Sequence, residues 1–227
     1  MGAVLGFDTA TPSTAVAVLR ADGTAAERRD DPAPGERPAH AARLLELAEE
    51  ALQATGTSWD EVTRLAVGVG PGGFTGLRIG IATARALAQA RVLEVVPVSS
   101  LEALAAGARA DHDGVVLAVL DARRGEAFAA AWDARGQRLL APAALSPDAL
   151  HDAAAGLGAG VLAAGDGAVR FREQLERAAA AVPADGSPVH RISAVHVCRL
   201  GAAGRPTGRD ALVPDYVRDP DAIPPSR

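Results

Sequence analysis

Apolar and polar positions along the chain fall into a short block that occurs twice. The first block reads AVLGFD at 3–8, a polar turn, STAVAVLR at 13–20, the turn ADG at 21–23, and TAAERR. Run length, β-branched content and turn chemistry predict a meander of three strands. The second block reads VVLAVLD at 115–121, the turn ARRG, EAFAAAW at 126–132, the turn DARG at 133–136, and QRLLA. In each an Asp closes the first strand and a Gly sits in the second turn; Asp8 to Gly23 and Asp121 to Gly136 are the same distance apart. Equal spacing on a matching hydrophobic pattern predicts duplication of one α/β unit.

After the first meander come a Pro-rich loop at 30–38, a helix over 39–54, a strand at 65–69, a glycine-rich turn and a helix over 75–90. A strand at 93–98 and a short helix over 99–106 complete the half. The second half offers helical stretches at 146–155, 169–181 and 193–200, a strand at 160–165, and a tail from 205 rich in Pro and Gly. Meanders followed by alternating helices and strands predict mixed sheets covered by helices, one unit over 1–107 and a reduced one over 108–227, with a cleft between them.

Composition narrows the chemistry. All 23 basic residues are Arg and the chain has no Lys, so Schiff-base catalysis, a Walker-type loop and a kinase phosphate clamp lack the ammonium they need. A net charge of −5 argues against nonspecific nucleic-acid binding, which needs a basic footprint. The single Cys198, the strand-like opening and the lack of an apolar run near 20 residues predict a cytoplasmic protein with no membrane segment.

The most specific stretch is GVGPGGFTGLRIG, Gly68 to Gly80, between an apolar strand and a helix. Backbone amides at such a helix start can cradle phosphate; equally, glycines can serve a tight turn and close packing of helix on sheet. GPGGFTGLRIG resembles the signature of the TsaB (YeaZ) family of tRNA threonylcarbamoyladenosine biosynthesis proteins. The likeness extends to Asp8 and Thr9 in GFDTATPSTAVAV, to Asp121, Arg123, Arg124 and Glu126 in LDARRGEAFAA, to the turn Gly165–Asp166–Gly167, and to PDYVR at 214–218.

That resemblance implies an actin-like ATPase fold (ASKHA, ribonuclease H-like) of two related subdomains. It implies a noncatalytic partner that scaffolds and activates the catalytic homologue TsaD, which transfers a threonylcarbamoyl group to an adenosine beside the anticodon of tRNAs reading codons that begin with A. No activity or cofactor is expected of the chain alone, ATP or ADP being left to the complex. The other implied partners are the small ATPase TsaE, a second copy of the chain in isolation, and tRNA through the complex.

Site residues follow. In an actin-like fold Asp8 and Asp121 end strands that face each other across the cleft, and with Thr9, Arg123, Gly165 and Asp166 they mark a vestigial nucleotide cleft. Their plainer role is to satisfy turn amides, and for Arg123 and Arg124 the plainer role is a solvated surface. A stand-alone ATPase or phosphotransferase using this cleft is the rival reading. A metallopeptidase is a second rival, against which the five histidines count: His40, His112, His151, His190 and His196 include no i, i+4 pair, and no metal site is expected. Cys198 lies in an apolar stretch that suits an inert thiol.

Helical patterning supplies the expected partner surface. In the first helix Leu45, Ala48 and Leu52 can serve the core, leaving Leu44, Leu47 and Ala51, with Arg43, for another helix. The second helix contributes Arg78, Ile81, Thr83, Ala84 and Arg85. On this reading Leu47→Arg or Ala84→Arg abolishes partner binding and leaves the fold intact. The family resemblance agrees, since these two helices pair there with their equivalents in the catalytic homologue or in a second copy.

Overall fold

The computed structural model describes residues 2–33 and 35–217; Arg218, the last residue of the expected C-terminal motif, lies outside them. The first meander forms as β1 (Ala3–Asp8), β2 (Thr14–Leu19) and β3 (Ala25–Asp30). The helix α1 (His40–Thr55), β4 (Val62–Gly70), α2 (Phe74–Arg91), β5 (Glu94–Ser99) and α3 (Ser100–Ala108) follow. The second half runs β6 (Val116–Asp121), β7 (Ala127–Trp132), β8 (Arg138–Leu145), α4 (Pro147–Gly156), β9 (Leu162–Ala164), α5 (Asp166–Arg170), α6 (Arg172–Arg177) and α7 (Ala194–Ala203).

The two halves carry one topology. The first sheet has the order β3-β2-β1-β4-β5, the second β8-β7-β6-β9. In each, the meander pairs antiparallel and its first strand pairs parallel with the strand after the helix, β1 with β4 and β6 with β9. The second sheet lacks a counterpart of β5 among the described residues.

Strands β1, β2 and β6, and β4 from Leu65 on, are buried on both faces, which is why they read as apolar runs. On one face of the first sheet, Leu5, Phe7, Val16, Val18, Leu65 and Val67 pack under α1 and α2. On one face of the second, Leu117, Val119, Ala129 and Ala131 pack under α4, α5 and α6. The two remaining faces share a single core built around α3 and α7, with Val4, Ala17 and Ala66 from one sheet and Val116, Ala118 and Trp132 from the other.

The C-terminal part departs from the division at residue 107. Helix α7 lies on the first sheet: a Cβ on Gly6 would fall 2.5 Å from the Cys198 sulfur, and one on Gly201 would fall 2.3 Å from Ala66 Cβ, so glycine is what lets helix and sheet approach. At its start, the Glu27 carboxylate of β3 accepts from the Ser193 hydroxyl (2.6 Å) and the Val195 amide (3.3 Å), giving the polar edge strand its purpose. The segment after α7 then straps the same unit: Thr207 N–H donates to Val95 O, Leu212 is fully buried, and Asp215 N–H donates to Val69 O at 2.8 Å. The helix expected over 169–181 is instead two short ones, α5 and α6, broken at Phe171. The sequence pattern could not show that break because both pieces bury apolar residues on one continuous arc.

Candidate functional site

The carboxyl ends of β1, β4 and β6 open into a cleft of about 860 Å3. One wall is the β1–β2 turn with Arg37, His40 and the start of α2; the other is the β6–β7 turn with Phe128 and Asp166; Asp215, Tyr216 and Val217 of the strap close one side.

The glycine-rich stretch is consumed by packing. The Thr9 hydroxyl donates to Gly76 O (2.8 Å) and the Gly73 amide donates to Ala10 O (2.6 Å). A Cβ on Gly72 would fall 2.4 Å from Ala10 O and one on Gly76 2.1 Å from Thr9 O, so these glycines let α2 seat directly on the β1–β2 turn. The close-packing reading open in the sequence is realised here, and the Gly73 amide is engaged by Ala10 O. Beside it, buried His40 takes a hydrogen bond between Nδ1 and the Thr14 hydroxyl (2.8 Å), and burial holds its pKa below the ordinary value.

The two aspartates do not face each other. Asp8 is fully enclosed below the cleft floor rather than lining it. Its Oδ1 accepts from the Ala10 amide (2.8 Å) and its Oδ2 from the Ser100 hydroxyl (2.6 Å), while a Cβ on Gly68 would fall 2.0 Å from Oδ2. Burial pushes the Asp8 pKa up, and the bonds from Ser100 and Ala10 pull it back only in part. The expectation of an Asp8–Asp121 pair across the cleft is therefore corrected: Asp8 ties the β1–β2 turn to the start of α3.

Asp121 does line the cleft, yet it is held by its own wall. Arg170 Nη1 lies 2.8 Å from both carboxylate oxygens, the Arg123 amide donates to Oδ1 (2.9 Å), and the Arg123 guanidinium stands 3.4 Å from Oδ2. Asp166 accepts the Asp121 amide (3.1 Å), and its pKa is raised, first by burial and also by the charge of Asp121. Thr9, Asp121, Arg123 and Asp166 thus all line the cleft. Gly165 does not; its amide donates to His190 Nδ1 (3.2 Å) inside the second unit, and His190 Nε2 faces Pro183 O at 3.1 Å. Arg170 escaped the sequence reading because its partner is distant in the chain.

The partner surface needs a larger correction. Leu44, Leu47, Ala51, Ile81 and Ala84 are fully buried beneath α1 and α2, whereas Leu45, assigned to the core from sequence, is 46% exposed. The stripe 44, 47, 48, 51, 52 follows the i, i+3, i+4, i+7, i+8 rhythm of a helix on a sheet, and that rhythm outranks the narrower 45, 48, 52 choice. Arg43 pairs with Asp30, Glu46 and Glu50 at the β3 side, and Arg85 donates to the carbonyls of Asp210 and Leu212, anchoring the strap. Arg78 and Thr83 remain accessible. The open outer face consists of Ala42 and Leu45 on α1 and Ile79, Ala82, Thr83 and Ala86 on α2. An aromatic cluster missed by the sequence reading stands at the head of α2: Phe74 and Tyr216 stack with centroids 6.0 Å apart, and the Arg78 guanidinium lies 3.8 Å over the Phe74 ring.

Among the described residues, no three of His, Cys, Asp and Glu stand close enough to hold a metal ion, and no helix is long and apolar enough to cross a membrane. A family model described as TsaD, tRNA N6-adenosine threonylcarbamoyltransferase, matches residues 36–181. The Escherichia coli tRNA threonylcarbamoyladenosine biosynthesis protein TsaB is 31% identical over 224 residues, covering 95% of this chain and 94% of its own length. The chain belongs to the TsaB (YeaZ) family. The Bacillus subtilis TsaB is 31% identical over 130 residues, 55% of this chain and 52% of its own. Among solved structures, YeaZ from Pseudomonas aeruginosa superposes with a TM-score of 0.74 at 28% identity, over 95% of this chain and all of the other. The ethanolamine utilization protein EutJ from Carboxydothermus hydrogenoformans, 15% identical with a TM-score of 0.51 over 87% of this chain and 90% of its own, shares the fold alone. The fold is the actin-like ATPase fold, two related α/β units around a cleft.

Proposed function

We propose that the chain is a noncatalytic partner that binds and activates a TsaD-type catalytic homologue in the threonylcarbamoylation of tRNA. One observation carries this reading: the polar groups that a catalytic cleft of this fold would turn on substrate are spent internally. The Gly73 amide is on Ala10, Asp8 is sealed beneath the floor, and Asp121 is clamped by Arg170. Meanwhile α1 and α2 leave an apolar outer face uncovered, the kind of surface that marks contacts. The homologue docks on that face, tRNA is reached through it, and a TsaE-type ATPase with its ATP or ADP joins the assembly; in isolation a second copy can occupy the same face.

The test is tRNA threonylcarbamoylation by the same organism's TsaD-type protein, assayed with and without this chain. Activity that depends on the chain and survives Asp121→Asn is the expected result. Modification at equal rate without the chain contradicts the reading. ATP turnover by the chain alone, lost in Asp121→Asn, replaces it with a stand-alone ATPase.

A further inference from the structure

We propose that a doubly charged inorganic oxyanion, of the sulfate or phosphate class, binds where the end of α3, the β7–β8 turn and α7 meet, held by Arg109, His196 and Arg199. None of these three residues lines the cleft. Arg109 follows the last residue of α3, at the start of the stretch that leads from the first sheet to the second. Its guanidinium lies under the β7–β8 turn: a Cβ on Gly136 would stand 3.6 Å from both Nη1 and Nη2, and Gly136 holds φ 81°. Nη1 is buried, and among the described residues it has no acceptor. An enclosed donor without an acceptor is a cost that native structures rarely carry, and a charged donor raises it.

Two further cationic side chains stand beside it. The His196 ring packs on α3, where a Cβ on Gly107 would fall 3.6 Å from Cδ2. Arg199 projects from α7 one turn further along the same face and is exposed. Among the described residues neither the His196 ring nor the Arg199 guanidinium makes a hydrogen bond or an ion pair. Burial lowers the His196 pKa first, and the charges of Arg199 and Arg109 lower it further, so both guanidinium groups are within electrostatic reach of the imidazole. Glu27 of β3 acts the other way, yet its carboxylate is engaged by Arg29, the Ser193 hydroxyl and the Val195 amide. A water would satisfy Nη1 and leave the repulsion among the cations in place. A dianion answers both, and the guanidinium fork matches its oxygens where a halide offers none. Because Arg109 and α7 belong to the first unit and the turn above them to the second, the bound anion ties the two together.

Calorimetry of the full chain with sodium sulfate and sodium phosphate, against sodium chloride at equal ionic strength, tests the site. Saturable binding of one oxyanion per chain is expected, about tenfold tighter than chloride or more, with a thermal midpoint that rises with sulfate. Sulfate remains a dianion around neutral pH, so its pH dependence reads the protein. Binding is expected to tighten as pH falls and His196 takes its proton, and NMR titration of the imidazole should show the His196 pKa rising when sulfate is present. Arg199→Ala alters an exposed side chain, so it keeps the fold, and it is expected to weaken sulfate binding about tenfold. Arg109→Gln should weaken it at least as much; if that variant fails to fold in far-UV circular dichroism, Arg199→Ala and the His196 titration decide. No saturable binding up to millimolar sulfate, chloride binding as tightly, a folded Arg199→Ala that binds unchanged, or a His196 titration that sulfate does not move would each overturn the proposal.

Discussion

At the scale of single residues, burial decides what each side chain can do. Leu47 and Ala84 sit in the core under α1 and α2, so Leu47→Arg or Ala84→Arg would bury an unpaired charge and cost more than about 4 kcal/mol. Loss of the folded signal in far-UV circular dichroism is the expected outcome, and a folded, binding-deficient protein would refute the placement. Gly6→Ala drives a methyl into the Cys198 sulfur and is expected to lower stability by about 1–3 kcal/mol in urea titration. Asp8 carries a pH signature. Its pKa is raised by burial above the ordinary 3.8, so the folded state holds the proton more tightly than the unfolded chain. The contribution is whole below 3.8 and is lost as pH rises through the folded pKa, with a slope of at most about 1.4 kcal/mol per pH unit. Asp8→Asn keeps an acceptor for the Ala10 amide and should flatten that fall in urea midpoints measured against pH; an unchanged profile would show that Asp8 is ionised in the folded state at little cost.

At the scale of elements, the hairpins, helices and parallel strands were legible because each signal is local. The two Asp-to-Gly blocks became β1–β2–β3 and β6–β7–β8 with the same antiparallel pairing but different registers, Asp8 standing opposite Ala15 and Asp121 opposite Ala127, and the Gly68–Gly80 stretch fell at the β4–α2 junction. Choices between faces of one helix were not legible: in α1, Leu44 and Leu45 are adjacent, and only the sheet beneath tells which is inside. Long-range ties such as Arg170 on Asp121 and Arg85 on Leu212 leave no spacing signal at all. Of the candidate cleft residues, Thr9, Asp121, Arg123 and Asp166 line the cleft, while Asp8 sank below the floor because its hydrogen bonds to Ala10 and Ser100 turn it inward. The exposed face of α1 and α2 yields a prediction at this scale: Leu45→Arg leaves far-UV ellipticity and thermal midpoint nearly unchanged, since a half-exposed surface site shifts stability by about 0.5 kcal/mol or less.

At the scale of the whole molecule, two sheets share one central core, and the chain's last helix and strap return to the first unit. The two units should therefore unfold together, with calorimetric and van't Hoff enthalpies equal; two resolved transitions would show that α3 and α7 do not couple them. Removing residues 194–217 uncovers one face of the first sheet and is expected to yield insoluble protein rather than a trimmed domain. On the proposed function, the cleft is braced by its own side chains and the outer helices are what is left to bind the homologue. The most direct test is light scattering of the chain mixed with the same organism's TsaD-type protein, with Leu45→Arg run in parallel. A stoichiometric complex that Leu45→Arg abolishes while remaining folded is the predicted result; no complex with the unaltered chain, or one that tolerates Leu45→Arg, would contradict the account.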